Sequence, residues 1–438
     1  MFIHIVFFLH WNLQKSILQV ILLFRIDRFK MQIILYRRKY RKLCVILICI
    51  LLLIIYLVGF FMHKGYILYM EFEKTTQFLI KKDCKPKQNI LFLKTHKTGS
   101  STIQNIFLRY GDKHDLTFAL PYKSNYFGHP HVFDRRMLRP HSYFWSRMES
   151  LISPSYNIFT HHARFNYEEM SFVMPNDTIF VTILRQPVCS LQSLLSYIHL
   201  EKFYNETSLT RSMERYFSNS SSNSIYHVLS EKRFSNRYGR NQMSFDLGLD
   251  PEDFDDSEII KQFIKEIDSQ FHLVMITERM QESLILLQDL LCWSQEDMIV
   301  FEHNVRNVDL SCNLTGDMAS TIRHYNAADQ MLYDFFRTKF DRQVIEFGVG
   351  RMNNEIRQLQ SVTQLMYKDC VKGKLPIKEI ISSKKIWYND LVTGFEKNAN
   401  VSKTCIDLTM YGLSYTDYIR NKQRYKIQNT FIFNKTSY

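Results

Sequence analysis

The feature that most narrows the fold is an apolar strand that runs straight into a polar loop and then into a helix. Residues 89–94, Asn-Ile-Leu-Phe-Leu-Lys, form a short continuous apolar run of the kind found in strands covered on both faces. The polar segment 95–102 follows at once, and then IQNIFLRYGDK sets Ile103, Ile106, Phe107 and Tyr110 at helical spacing. Strand, tight loop and helix in that order open an α/β unit. The pattern recurs along the chain. A second strand is expected at 156–160, ending in His161 and His162. A third covers 178–184, closed by Arg185-Gln186-Pro187 and followed by a helical stretch at 189–200. A fourth, 271–277, leads into an apolar helix at 280–291. Apolar strands alternating with helices predict a central parallel sheet flanked by helices, with ligands beyond the C-terminal strand edge. The loop 94–102, the two histidines and Arg185 all fall at that edge. Residues 201–256 read as a polar insertion, 318–357 as mostly helical, and 361–438 as irregular structure packed on the domain.

Charge decides where such a domain sits. The chain of 438 residues has a formal net charge of +13 and a pI near 9.2, which invites a nucleic-acid reading. Yet residues 1–70 carry ten cations against the single anion Asp27, and so hold +9 of that total. The small remainder is no footprint for a nucleic acid. Residues 43–62 run without a charge over the length that crosses a hydrocarbon core of roughly 30 Å. Arg37, Arg38, Lys39, Arg41 and Lys42 precede this run, so the positive-inside bias keeps the N-terminus cytoplasmic. A cleaved signal peptide would have a shorter apolar region of about 7–15 residues ending in small side chains. The expected organisation is a cytoplasmic tail at 1–42, a signal anchor at 43–62, a lumenal stem at 63–88 and one lumenal domain at 89–438. Within the tail, residues 1–30 precede Met31, which opens a short basic segment usual in single-anchor proteins and is the expected start of translation.

A lumenal setting permits disulfides among Cys84, Cys189, Cys292, Cys312, Cys370 and Cys405, whose pairing the sequence leaves open. Cys189, in an apolar helical stretch, reads as a buried thiol. No CxxC or Cys/His array points to structural zinc. Sequons at Asn176, Asn205, Asn219, Asn313, Asn400 and Asn434 all follow the anchor.

A Gly/Ser/Thr-rich loop opening a helix gathers backbone N–H groups and the positive end of the helix dipole, which makes an anion site suited to phosphate. This loop carries Lys97, Thr98, Gly99, Ser100, Ser101 and Thr102. It is not the GxxxxGK[ST] loop of nucleotide triphosphatases, since Lys97 precedes the glycine.

The blocks FLKTHKTGSST, NIFLRYGDKH, HHARFNYEEM, VTILRQPVCSLQSLLSY, GRNQMSFDLG and FHLVMITERMQESLILLQDLLCW resemble the galactose 3-O-sulfotransferase family, in order across 89–306 and more weakly to 357. The resemblance implies a P-loop-like sulfotransferase domain in the Golgi membrane, single-pass and type II. It uses 3′-phosphoadenosine 5′-phosphosulfate (PAPS) as sulfuryl donor and a β-galactoside of a glycolipid or glycoprotein as acceptor. It also implies that Lys97, Thr98, Gly99, Ser100, Ser101 and Thr102 bind the 5′-phosphosulfate, and that Arg185 and Ser193 bind the 3′-phosphate. The chain departs from the family at Gln186, commonly acidic there, and after about residue 361.

Sulfuryl transfer needs an anion cradle, a cation at the leaving oxygen and a base for the attacking hydroxyl. Lys97 suits the second role. Histidine suits the third, with His162 expected first and His96 and His161 next. No metal is required by that scheme. Arg240 and Asn241 are further candidates for contact with nucleotide or sugar. Two rivals remain open. A Golgi glycosyltransferase would use a D-x-D metal site, for which Asp253-Phe254-Asp255 has the letters but sits in an acidic run read as a solvated helix start. A non-catalytic glycan-binding protein on the same fold would have no use for both anion motifs and a base.

Overall fold

A computed structural model describes residues 49–65, 84–138, 156–218, 239–301, 312, 314, 316–380 and 392–435. Contacts divide the chain into a unit ending at Asp83 and a second unit that begins at Cys84. In the first, residues 49–65 are helical. Residues 43–48 of the expected anchor, the tail and most of the stem lie outside the described residues. Among those described, no helix is long and apolar enough to cross a membrane.

The second unit is built on strand β1 (Ile90–Leu93), whose four residues are all buried. Helix α1 (Ser100–Lys113) follows the loop, and two short strands come next, β2 (Phe118–Ala119) and β3 (Tyr126–Val132). Then come β4 (Ile158–Phe159), β5 (His162–Arg164), α2 (Tyr167–Val173), β6 (Ile179–Leu184) and α3 (Pro187–Tyr197). The insertion contributes α4 (Leu200–Tyr204), α5 (Leu209–Ser218) and α6 (Gln242–Asp246). Helix α7 (Ser257–Gln270), strand β7 (Leu273–Ile276) and helix α8 (Met280–Leu291) close the α/β repeat.

The main sheet has the order β2-β4-β1-β6-β7, and every recorded pairing in it is parallel. Burial of Ile90 through Leu93 and of Ile179 through Leu184 on both faces explains why these strands read as unbroken apolar runs. Phe92 meets Phe107 of α1 at 5.2 Å between ring centroids, and Tyr110 stacks on Trp293 at 3.5 Å. The four expected strands and the expected helices at 189–200 and 280–291 are all present, shifted by a few residues at their ends. The second sheet, β3 against β5, was not anticipated.

Residues 318–357 are helical as expected, whereas the part after 361 corrects the expectation of irregular structure. Helices α9 (Gly316–Tyr325), α10 (Ala327–Phe347) and α11 (Val349–Cys370) lead into a hairpin of β8 (Val371–Pro376) and β9 (Thr393–Lys397). Helix α12 (Ile377–Ile380) lies within the hairpin, and α13 (Lys403–Thr409) and α14 (Gly412–Lys435) follow it. The weak periodicity has a physical cause: among the described residues α14 buries only Tyr415 and Ile419 in the core, and polar anchors hold much of the rest. Lys422 pairs with Asp112, and Arg420 donates to the carbonyls of Pro121 and Ser124. Gln423 accepts from the Phe118 N–H at 2.8 Å and donates to its carbonyl at 3.2 Å, giving the edge strand β2 a substitute neighbour.

The cysteines pair as Cys84–Cys292, Cys189–Cys312 and Cys370–Cys405. The expectation of a buried Cys189 thiol is therefore wrong. Val188, Leu191 and Leu195 take the inward face of α3, which leaves Cys189 on the half-buried rim. Of the sequons, Asn176, Asn205 and Asn400 are exposed.

Candidate active site

The loop after β1 is held in shape largely by its own hydroxyls. The Thr95 hydroxyl donates to the Ile183 carbonyl of β6 at 2.6 Å, and Ser100 donates back to the Thr95 carbonyl at 2.6 Å. From β7, Thr277 Oγ1 lies 2.7 Å from the Thr98 carbonyl and 2.9 Å from that of Leu184, so it ties the loop to the next strand end. Lys97 and Gly99 adopt positive φ, 62° and 72°. A side chain at Gly99 would be strained there, and its Cβ would lie 3.4 Å from Met280 Cε. These turns aim the chain into α1, whose first turn carries no acidic residue.

Two cations flank the loop. Lys97 Nζ rests 3.9 Å from the centroid of the Tyr197 ring. Arg185 donates from Nη1 to the Lys97 carbonyl at 3.1 Å, and burial lowers its pKa while Glu278 pulls it back. Ser193 is half-buried on α3, which begins just past Arg185. Gln186 caps α3 by accepting from the Cys189 N–H at 2.9 Å. Its amide oxygen thus does the capping that a carboxylate would do, without the charge.

Lys94 was not anticipated from the sequence. It is 2% exposed, and Nζ donates to Ser101 Oγ at 2.9 Å and Ser100 Oγ at 3.4 Å. Burial pulls its pKa down from 10.5 to about 7.

Beside the loop lies a stack of rings. His96 and His162 are parallel with centroids 4.1 Å apart, Tyr126 stacks on His162 at 4.9 Å, and His129 meets His96 edge-on at 5.1 Å. Pairing of β3 with β5 puts Tyr126 and His162 in register. Asp246, at the end of α6, faces both oxygens toward His96: Nδ1 is 2.9 Å from each, and the His96 backbone N–H donates to Oδ2 at 2.7 Å. His129 Nε2 lies 3.5 Å from Oδ1, and Gln242 donates to Oδ1 at 2.9 Å. Burial alone pushes the Asp246 pKa up, but His96 and His129 overcome this and hold it well below the usual carboxylate range. A carboxylate accepts only, so His96 carries its proton on Nδ1 and its lone pair on Nε2.

His162 donates from Nδ1 to the Lys94 carbonyl at 2.8 Å, which likewise leaves the lone pair on Nε2. Burial first, then the neighbouring His96, Lys94 and His129, push its pKa well below 6.5. His161 points elsewhere: Nε2 meets Thr416 Oγ1 of α14 at 3.0 Å, and burial lowers its pKa to about 3.

The structure thus gathers Lys97, Thr98, Gly99, Ser100, Ser101 and Thr102 into one loop, with Arg185, His96 and His162 against it. Arg240 lies apart from this group. Its guanidinium donates to the Tyr325 carbonyl at 2.6 Å and pairs with Asp255, while Asn241 is buried and accepts from the Asp329 N–H at 3.1 Å. That pairing also occupies Asp255 of the D-x-D letters, whose Phe254 is buried and which runs into the Asp256 cap of α7. Asp246 was missed because it lies 150 positions from His96, and its sole signal was membership of the GRNQMSFDLG block.

The sequence also matches known proteins. The family model described as Galactose-3-O-sulfotransferase matches residues 25–389. Galactosylceramide sulfotransferase of Homo sapiens is 33% identical over 299 residues, covering 66% of this chain and 66% of that protein, so the match spans just under two thirds of that relative. Galactose-3-O-sulfotransferase 2 of Sus scrofa is 33% identical over 335 residues, 76% of this chain and 80% of the relative. Galactose-3-O-sulfotransferase 3 of Homo sapiens is 29% identical over 357 residues, with 78% and 79% covered.

Proposed function

The chain belongs to the galactose-3-O-sulfotransferase family, and from that premise we propose that it moves the sulfuryl group of PAPS to the 3-hydroxyl of a β-galactosyl residue on a glycolipid or glycoprotein. The observation that carries this reading is the anion loop, which contains Lys97, is braced by Arg185 and holds the carboxylate-backed His96. The donor supplies a sulfuryl group on a phosphate leaving group. Everything else falls to the chain.

The loop amides and the hydroxyls of Thr98, Ser100, Ser101 and Thr102 hold the 5′-phosphate at the start of α1. Lys97 offsets the charge that grows on the bridging oxygen, and Arg185 with Ser193 holds the 3′-phosphate. His96 takes the base role ahead of His162. Its Nε2 accepts the proton of the acceptor hydroxyl while Asp246 stabilises the imidazolium that results, and His162 has only a carbonyl behind it. Stacking of His162 on His96 then fixes the plane of the base. The same reading places residues 43–62 as a single-pass type II anchor in the Golgi membrane, in keeping with three disulfides in the unit that follows.

The test is the full chain in detergent with sulfur-labelled PAPS and a panel of β-galactosides that includes galactosylceramide and a terminal β-galactosyl oligosaccharide. Label on the galactose 3-oxygen supports the reading. Transfer that instead requires a nucleotide sugar and manganese overturns it in favour of a glycosyltransferase. Lys97→Ala is expected to abolish turnover, and Arg185→Ala to weaken donor binding by about tenfold or more.

A further inference from the structure

We propose that Lys94 is a further donor-binding residue, a buried cation whose ammonium meets the donor's phosphate from beneath the first turn of α1. This rests on the sulfuryl-transfer reading and adds to it a group outside the loop's own motif. The geometry carries it. Lys94 reaches Ser101 at 2.9 Å and Ser100 at 3.4 Å, the two hydroxyls that open α1 where its amides converge. A phosphate oxygen that accepted from Ser101 would therefore lie within a few ångströms of Nζ.

The surroundings lack the partner that a buried ammonium needs. Among the described residues no carboxylate offsets its desolvation, and the first turn of α1 holds no acidic residue. The titratable groups recorded against it are His162 and His161, which burial keeps neutral, and the charged groups along the loop are cations, Lys97 with Arg185 braced on its carbonyl. Asp246, beside His96, is already engaged by His96, His129 and Gln242. A cation at the positive end of a helix without a counter-charge is disfavoured until an anion arrives. Donor binding then charges Lys94, and near or above neutral pH the site takes up a proton as it fills.

Titration calorimetry of the full chain with adenosine 3′,5′-bisphosphate, in Tris and in HEPES at pH 8, reads that proton from the difference in heat. The wild type is expected to take up a fraction of a proton at pH 8 and less at pH 6. Lys94→Met should bind about tenfold or more weakly with the uptake lost. Lys94→Arg, charged at every pH used, should bind without uptake, which keeps the idea testable if the methionine variant folds poorly. Lys94→Met at wild-type affinity, while Lys97→Ala and Arg185→Ala bind weakly, overturns the proposal and spares the transferase reading. Loss of the uptake in His162→Gln also overturns it, because the proton would then belong to His162. If the wild type fails to bind the bisphosphate, the donor reading itself falls and takes this inference with it.

Discussion

His96 and Asp246 join one residue of the anion loop to one at the end of α6, and their contact sets a tautomer. Asp246→Asn keeps the volume but can donate where the carboxylate only accepts, which disturbs the proton on Nδ1. Turnover is expected to fall by about a hundredfold or more, with a smaller loss in bisphosphate affinity. Equal losses in both would reduce Asp246 to a loop brace, since it also accepts from the His96 backbone. Lys94 gives a second residue-scale outcome. Its proton leaves at about pH 7 in the fold and near 10.5 in the unfolded chain, so between those values the unfolded chain holds more protons and rising pH favours folding. Melting temperatures without ligand should therefore shift in favour of wild type over Lys94→Met as pH rises from 7 to 10. A difference that stays flat would mean that Lys94 is not desolvated. The loop half of the proposed site was legible because strand, loop and helix are continuous in sequence. The histidine half was legible only as a set of candidates, because choosing among His96, His161 and His162 depends on Asp246 and Thr416, which reach them from distant helices.

At the scale of elements, what was readable follows from burial. β1, β6 and β7 are covered on both faces and so appear as apolar runs, whereas β2 has two residues and β3 alternates without a dry face. Helix α14 escaped notice because its apolar contact is short, Tyr415 and Ile419, and the side-chain amides and ion pairs that hold the rest have no period. Gln423 is the most telling of them, since it stands in for a strand at the sheet edge. Gln423→Ala is expected to cost about 1 kcal/mol or somewhat more, read by denaturant midpoint, as β2 loses both backbone partners. Gly111 sets how closely α1 lies on β2, because a Cβ there would run into the Phe118 ring. Gly111→Ala should therefore destabilise by roughly 1–3 kcal/mol, and a neutral result would mean that Phe118 turns aside freely.

For the whole molecule, the +13 net charge reports the basic residues 1–70 more than the proposed chemistry, whose cations are placed one by one at a single strand edge. The transfer scheme draws its charge from Lys97, Arg185 and backbone amides, so labelled transfer is expected to survive a chelator such as EDTA; complete loss on chelation with recovery on added metal would refute that. The three disulfides differ in what they join. Cys370–Cys405 ties the end of α11 to α13, and Cys189–Cys312 ties α3 to the segment before α9. Cys84–Cys292 does something else. It fastens the first residue of the second unit to the end of α8, and the Lys87 N–H and carbonyl are held there too, by the Leu291 carbonyl and the Trp293 indole. Tension applied to the chain ahead of residue 84 is thus delivered sideways into α8 and stops short of β1. The central strand, and the loop at its far end proposed to bind the donor, are thereby shielded from a pull on the chain ahead of them.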